Sequence, residues 1–89
     1  MTWKITILEQ AVKDLRKLDK PIARRIVDFL NNRLAVLDDP RSTGKALIGP
    51  KYGELWRYRV GDYRIIAKIE DEELKILVVH VGPRKDVYK

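Results

Sequence analysis

Arginines crowd one short stretch of this chain and could hold a phosphate. Arg57, Arg59 and Arg64 lie within the sequence Trp-Arg-Tyr-Arg-Val-Gly-Asp-Tyr-Arg, which spans positions 56–64. A guanidinium group donates paired hydrogen bonds to phosphate oxygens and stacks on nucleobases. His80 is the only histidine, and histidine is the side chain suited to proton transfer near neutral pH. The chain has no cysteine, which excludes a thiolate nucleophile, a disulfide and a cysteine-ligated metal.

The composition predicts a single compact domain spanning residues 1–89. Hydrophobic residues make up 45% of the chain, and 19 Lys and Arg against 13 Asp and Glu give a net charge of +6. A basic balance of this kind favours polyanions or an acidic protein partner. The N-terminal residues do not resemble a signal peptide, and no apolar run approaches the ~20 residues of a membrane span. We therefore expect a cytoplasmic protein with no membrane partner.

Hydrophobic spacing predicts a strand and two helices in the first half. Residues 3–8 alternate like a strand, with Trp3, Ile5 and Ile7 on one face. A short amphipathic helix follows to about Leu18, and a second is expected to begin near Pro21 and to continue to about Leu37. The core-facing residues of the second helix are predicted to be Ile22, Ile26, Phe29, Leu30, Leu34 and Leu37.

The second half predicts a three-stranded antiparallel meander. Strand-like runs over 55–60, 63–70 and 74–81 are joined by Gly61-Asp62 and by Asp71-Glu72-Glu73, which suit hairpins. Residues 38–44 and 49–53 have the composition of loops. The expected fold class is α+β: an N-terminal strand, a two-helix hairpin and the meander, with the helices packed on one face of a four-stranded sheet.

Alternation along the meander predicts a basic surface opposite the helices. Arg57, Arg59, Arg64 and Lys68 fall on the face away from the apolar side chains. In the last strand we expect Leu77, Val79 and Val81 in the core, which leaves Ile76, Val78 and His80 on the reverse. Facing like charges destabilise a sheet, so a polyanion or a carboxylate-rich partner would offset the repulsion. The alternative is an ordinary solvated face whose cations pair with Glu54 and Glu70.

Two motifs make the chain resemble a known family. Trp-Arg-x-Arg-x-Gly-x-Tyr-Arg over 56–64 is followed by Val-Gly-x-Arg-x-x-x-Tyr over 81–88, and Ala-Val-Lys-Asp-Leu-Arg-Lys-Leu occupies 11–18. Together they resemble the RelE branch of the RelE/ParE superfamily of type II toxin-antitoxin systems, and the resemblance covers essentially the whole chain.

The resemblance implies a RelE-like microbial ribonuclease fold and an mRNA interferase that inhibits translation. Similar toxins enter the ribosomal A site and cleave the exposed mRNA codon, with the ribosome as a partner. The 2′-hydroxyl attacks the adjacent phosphate without a metal or other cofactor. A cognate RelB-like antitoxin neutralises the toxin. Codon preference, the antitoxin's identity and stoichiometry, and a strict need for the ribosome cannot be read from these residues.

Carried over to this sequence, the catalytic positions are Arg57, Arg59, Arg64, Arg84 and Tyr88. The first three would hold the scissile phosphate, Arg84 would stabilise the leaving 5′-oxygen, and Tyr88 would stack on a base. Further contacts to RNA are expected from Lys51, Lys68 and Lys85.

The general base is a separate question, because arginine does not give up its proton in proteins. Many relatives have a histidine where this chain has Pro83. His80 is therefore a candidate base, and a structural role within its strand is the alternative. The base could instead be supplied by the ribosome or be dispensable.

Two other functions remain open at this point. A ParE-like toxin would share the fold and inhibit DNA gyrase by protein contact, which needs no phosphate-binding constellation. A module that binds RNA or antitoxin without catalysis is the other alternative.

Overall fold

The computed structural model describes residues 2–47 and 54–83, which form a five-stranded mixed sheet with two helices on one face. This confirms the predicted α+β class. The sheet order is β1-β5-β4-β3-β2, with β1 parallel to β5 and the other pairs antiparallel. The elements are β1 (Lys4–Ile7), α1 (Glu9–Arg16), α2 (Lys20–Phe29), β2 (Lys45–Ala46), β3 (Leu55–Val60), β4 (Tyr63–Glu70) and β5 (Lys75–Pro83).

The second helix ends earlier than its hydrophobic stripe predicts. Pro21 lies in the first turn of α2, as expected, because that position needs no backbone donor. After Phe29 the backbone widens into a π-helical turn, Leu30–Leu34, in which the Ala35 amide donates to the Leu30 carbonyl at 2.9 Å. The wider turn keeps both leucines of that segment fully buried, so the apolar stripe continues although the α-helix does not.

The hydrophobic core lies between the helices and the sheet. Ile26, Leu30 and Leu34 pack against the inward residues of the three central strands, and the helix residues are confirmed as core. Tyr58 on β3 is also buried, and its hydroxyl donates to the Pro40 carbonyl at 2.8 Å. This bond ties β3 to a 3₁₀ turn, Pro40–Thr43, that leads into β2. Among the described ranges, no helix is long and apolar enough to cross a membrane.

The sheet has one strand more than the four expected from the sequence. β2 pairs with β3, placing Lys45 opposite Arg57 and Ala46 opposite Trp56. A two-residue strand is too short to show an alternating pattern, and it lies between segments with loop composition. Its effect is to bring a further cation beside the arginines of β3.

The predicted core of the last strand is wrong in its first half because β5 contains a bulge. Ile76 and Val78 are fully buried, opposite Ile69 and Ala67, whereas Leu77 and Val79 were expected there. Val78 pairs with Ala67 but His80 pairs with Ile66, so Val79 is the extra residue. One inserted residue reverses the alternation of side chains. Val81 is therefore buried as predicted, and His80 shares a face with Ile66.

Candidate nucleic-acid interface

The sheet surface opposite the helices carries the candidate site, and we call it the basic face. Its cationic side chains come from three adjacent strands, β2, β3 and β4, and His80 joins them from β5. The structure therefore brings together the described part of the predicted set. The basic face comprises Lys45, Arg57, Arg59, Arg64, Lys68 and His80.

Arg59 and Arg64 lie directly opposite each other across β3 and β4. Arg64 is only 9% exposed, whereas Arg59 is exposed and its Nε donates to the Gly61 carbonyl at 3.0 Å. Beside this pair is a groove of ≈ 320 Å³, lined by Thr43, Lys45, Arg57, Tyr58, Arg59 and Arg64. Four cations around one groove create a positive potential that suits a phosphate group.

The sheet register bears on the alternative that acidic residues neutralise this surface. Glu70 lies opposite Lys75, at the end of β4 far from Arg64. Glu54 precedes β3 and is not part of the strand. The residue facing Arg64 across the strands is thus Arg59 and not Glu70. Across β3 and β4, the register therefore places a second arginine, and neither of the two glutamates, opposite Arg64.

His80 is held from behind by a carboxylate on α1. Asp14 is only 7% exposed. Its Oδ2 accepts hydrogen bonds from His80 Nδ1 and from the Val81 amide at 3.0 Å, while Oδ1 accepts one from Gln10 Nε2 at 2.9 Å. Burial raises the pKa of Asp14, but the hydrogen bonds from Val81, Gln10 and His80 outweigh it and hold that pKa below its usual value. Asp14 is therefore a carboxylate at neutral pH.

Asp14 was missed by sequence reasoning, although a signal was present. It lies one helical turn beyond Ala11, which is fully buried in the core-facing stripe of α1. An acidic residue at such a position needs hydrogen-bond donors, since a buried charge without them is strongly destabilising. The sequence shows that position but not the donors, because Val81 and His80 come from the opposite end of the chain.

Several predicted residues cannot be placed. Arg84, Tyr88, Lys51 and Lys85 lie outside the residues that the structure describes. Within residues 2–47 and 54–83, no three His, Cys, Asp or Glu side chains cluster in a way that could hold a metal ion.

A family of toxins matches this chain, which combines a strand, two helices, a meander and a cationic sheet face. The family model of the ParE toxin of type II toxin-antitoxin systems (parDE) matches residues 5–88. The chain belongs to the RelE/ParE superfamily of type II toxins.

Relatives on the RelE side of the superfamily match nearly the whole chain. The toxin RelE of Mycobacterium tuberculosis is 31% identical over 87 residues, which cover 98% of this chain and 87% of that protein. Among solved structures, the RelBE2 toxin-antitoxin complex of M. tuberculosis gives a TM-score of 0.85 at 28% identity, covering 97% of this chain and 95% of the matched one. The archaeal RelE-RelB complex of Pyrococcus horikoshii gives a TM-score of 0.75 at 32% identity, and the match covers 98% of this chain and 100% of the matched one.

Proposed function

We propose that this chain is a RelE-type toxin that cleaves mRNA codons in the ribosomal A site. The 2′-hydroxyl of the codon attacks the adjacent phosphate, leaving a 2′,3′-cyclic phosphate and a 5′-hydroxyl, without a metal ion. The observation that carries the proposal is the placement of Arg57, Arg59 and Arg64 around one groove on the basic face. Similarity to proteins named toxin RelE and toxin RelG supports it independently.

The arginines suit the charge that develops during this reaction. As the 2′-oxygen attacks, negative charge grows on the phosphate oxygens, and guanidinium groups already in place stabilise it without reorganisation. Arg64 is held nearly buried within the sheet, and Arg57 flanks the same groove. We assign both to the phosphate, together with Arg59. Removing one such preorganised donor typically lowers the rate by about 10²–10³.

The remaining family positions complete the proposed site. Arg84 would stabilise the leaving 5′-oxygen and Tyr88 would stack on a codon base. Lys51, Lys68 and Lys85 would contact the RNA backbone, which predicts that binding weakens steeply with added salt.

We further propose that a RelB-like antitoxin neutralises the toxin. The solved relatives from M. tuberculosis and P. horikoshii are complexes of a toxin with its antitoxin. The net charge of +6 on this chain favours an acidic partner segment.

Primer extension in a purified translation system tests the nuclease directly. The wild type is expected to produce discrete cuts within codons that require ribosomes, and Arg64→Ala and Arg57→Ala should each reduce them by about 10²–10³. Arg24→Ala removes the same charge from the exposed side of α2 and should cut like the wild type. Circular dichroism of each variant confirms the fold. Absence of cuts by the folded wild type would refute the proposal.

The match to the ParE family model supports a second candidate, a toxin that inhibits DNA gyrase. Induction in cells separates the two. Growth arrest with codon-position cuts in mRNA supports the nuclease, whereas filamentation with DNA damage supports the gyrase inhibitor. A module that only binds RNA or antitoxin would give neither phenotype.

A further inference from the structure

The nuclease proposed above still needs a group that accepts the proton of the 2′-hydroxyl. Arg57, Arg59 and Arg64 cannot accept it, because a guanidinium stays protonated in proteins. His80 is the only imidazole in the chain. Its contacts decide whether it is a structural strand residue or a base.

Asp14 determines which nitrogen of His80 carries the proton. The Asp14 carboxylate accepts from His80 Nδ1, so in the neutral imidazole the proton lies on Nδ1. Nε2 is then the nitrogen with a lone pair, which is the form that a base requires. Gln10 and the Val81 amide hold the carboxylate from two further directions, so its orientation is fixed by the fold.

The bulge at Val79 aims His80 toward the basic face. Regular alternation after the buried Val78 would place His80 on the helix side of the sheet; the extra residue places it opposite Ile66 instead. Bulges often re-aim a side chain beside a functional site. Arg64 lies two residues before Ile66 on the same face of β4, so it is the diagonal neighbour of His80 across the two strands. Diagonal neighbours in a sheet are separated by about 7–8 Å. His80 and Arg64 are therefore neighbours on the basic face.

Charged residues surround His80 on the neighbouring elements, although only Asp14 contacts it among the described residues. Asp14 faces it from α1 and favours the imidazolium that forms when a proton is accepted. Arg64 and Lys68 flank its partner Ile66 on β4, and Arg57 lies beyond Ile66 on β3. Lys75 lies on the same face of β5, opposite Lys4 of β1.

We propose that Asp14 and His80 form a base dyad for this cleavage, an inference that rests on the proposed function. The 2′-hydroxyl proton moves to His80 Nε2 as the 2′-oxygen forms its bond to phosphorus. The bond from phosphorus to the 5′-oxygen breaks, and that oxygen keeps the electron pair and takes a proton from water. The imidazolium then returns its proton to solvent. His80 is the catalytic residue and Asp14 is the positioning residue.

Single-turnover cleavage on programmed ribosomes between pH 6 and pH 8 tests the dyad. The wild-type rate should rise with pH, because only neutral imidazole accepts a proton. His80→Gln should lower the rate by about 10²–10⁴ and remove this rise. Asp14→Asn should lower it at least about tenfold, since an amide neither fixes the tautomer nor stabilises the imidazolium. In His80→Ala, added imidazole should restore part of the rate.

The outcomes separate this inference from the proposed function. If the wild type cuts and folded His80→Gln cuts equally fast with the same pH profile, the dyad is wrong and the nuclease stands. If the folded wild type makes no cuts, the proposed function fails and the dyad fails with it. Should both His80 variants unfold in thermal melts, Asp14→Asn decides, and a wild-type rate and pH profile in that variant would overturn the dyad.

Discussion

The helix side of the sheet is apolar and buried, whereas the basic face is cationic and partly exposed. On the helix side, Ile65, Ile76 and Val78 are fully buried and pack against α2 and its π-helical turn. On the basic face, Arg59 stands opposite Arg64, a pairing that destabilises a sheet. Burial of apolar side chains on the helix side therefore stabilises the fold, whereas the two facing arginines lower that stability. Substitutions on the two faces should therefore have different kinds of effect.

Loss of apolar volume on the helix side should have the largest effect on stability. Leu30→Ala removes a fully buried side chain and should lower the free energy of unfolding by about 2–5 kcal/mol. Lys68→Ala on the exposed part of the basic face should change it by no more than about 0.5 kcal/mol. Urea denaturation measures both. Equal losses would contradict the division of roles between the faces.

The buried hydroxyl of Tyr58 should be the next most important contact. Burial raises the pKa of Tyr58 to about 12, so the hydroxyl remains a donor to the Pro40 carbonyl. Tyr58→Phe leaves that buried carbonyl without its partner and should cost about 1–3 kcal/mol of unfolding free energy. Urea denaturation again provides the measurement. An unchanged midpoint would mean that the bond adds nothing to the attachment of the 3₁₀ turn.

A change on the basic face should raise stability while it weakens function. Arg59→Gln removes the repulsion with Arg64 and should stabilise the protein by about 0.2–1 kcal/mol. The lost hydrogen bond to Gly61 is exposed and offsets little of this gain. RNA binding should weaken, and the slope of log affinity against log salt should decrease by about 1. Arg24→Gln is the charge-matched control, and an equal gain there would attribute the effect to net charge alone.

Acid should weaken the link between the two faces that Asp14 provides. Because the pKa of Asp14 is lowered in the folded protein, its carboxylate stabilises the fold at pH values above the pKa that Asp14 has in the unfolded chain. This contribution disappears as the pH falls through the lower, folded-state pKa. Unfolding free energies measured from pH 7 to pH 2 should fall less in Asp14→Asn than in the wild type. Parallel curves would show that other carboxylates cause the acid sensitivity.

Local patterns were enough to predict most of the fold. The apolar stripe of α2, the alternation in β3 and β4 and the two hairpin turns each involve neighbouring residues, so the sequence displays them directly. The placement of Arg57, Arg59 and Arg64 on one face follows from the same alternation. Their roles toward RNA stay a prediction.

Features that depend on distant partners could not be predicted. The bulge at Val79 depends on the pairing register between β4 and β5, and the strand character of β2 depends on its pairing with β3. The role of Asp14 depends on its hydrogen bonds with His80 and Val81, which lie far away in the sequence. A pattern within either segment contains no information about the other.

The parallel pairing of β1 with β5 has a consequence for how the protein is made. Lys4 pairs with Lys75, so the first strand has no neighbour until the last strand has been synthesised. Contacts between such distant residues form late in folding, because the entropy cost of closing a long loop comes before the contacts stabilise the chain. The Asp14–His80 contact crosses the same gap. A growing chain therefore cannot assemble the proposed base while β5 is still inside the ribosome, and translation of the toxin precedes its activity.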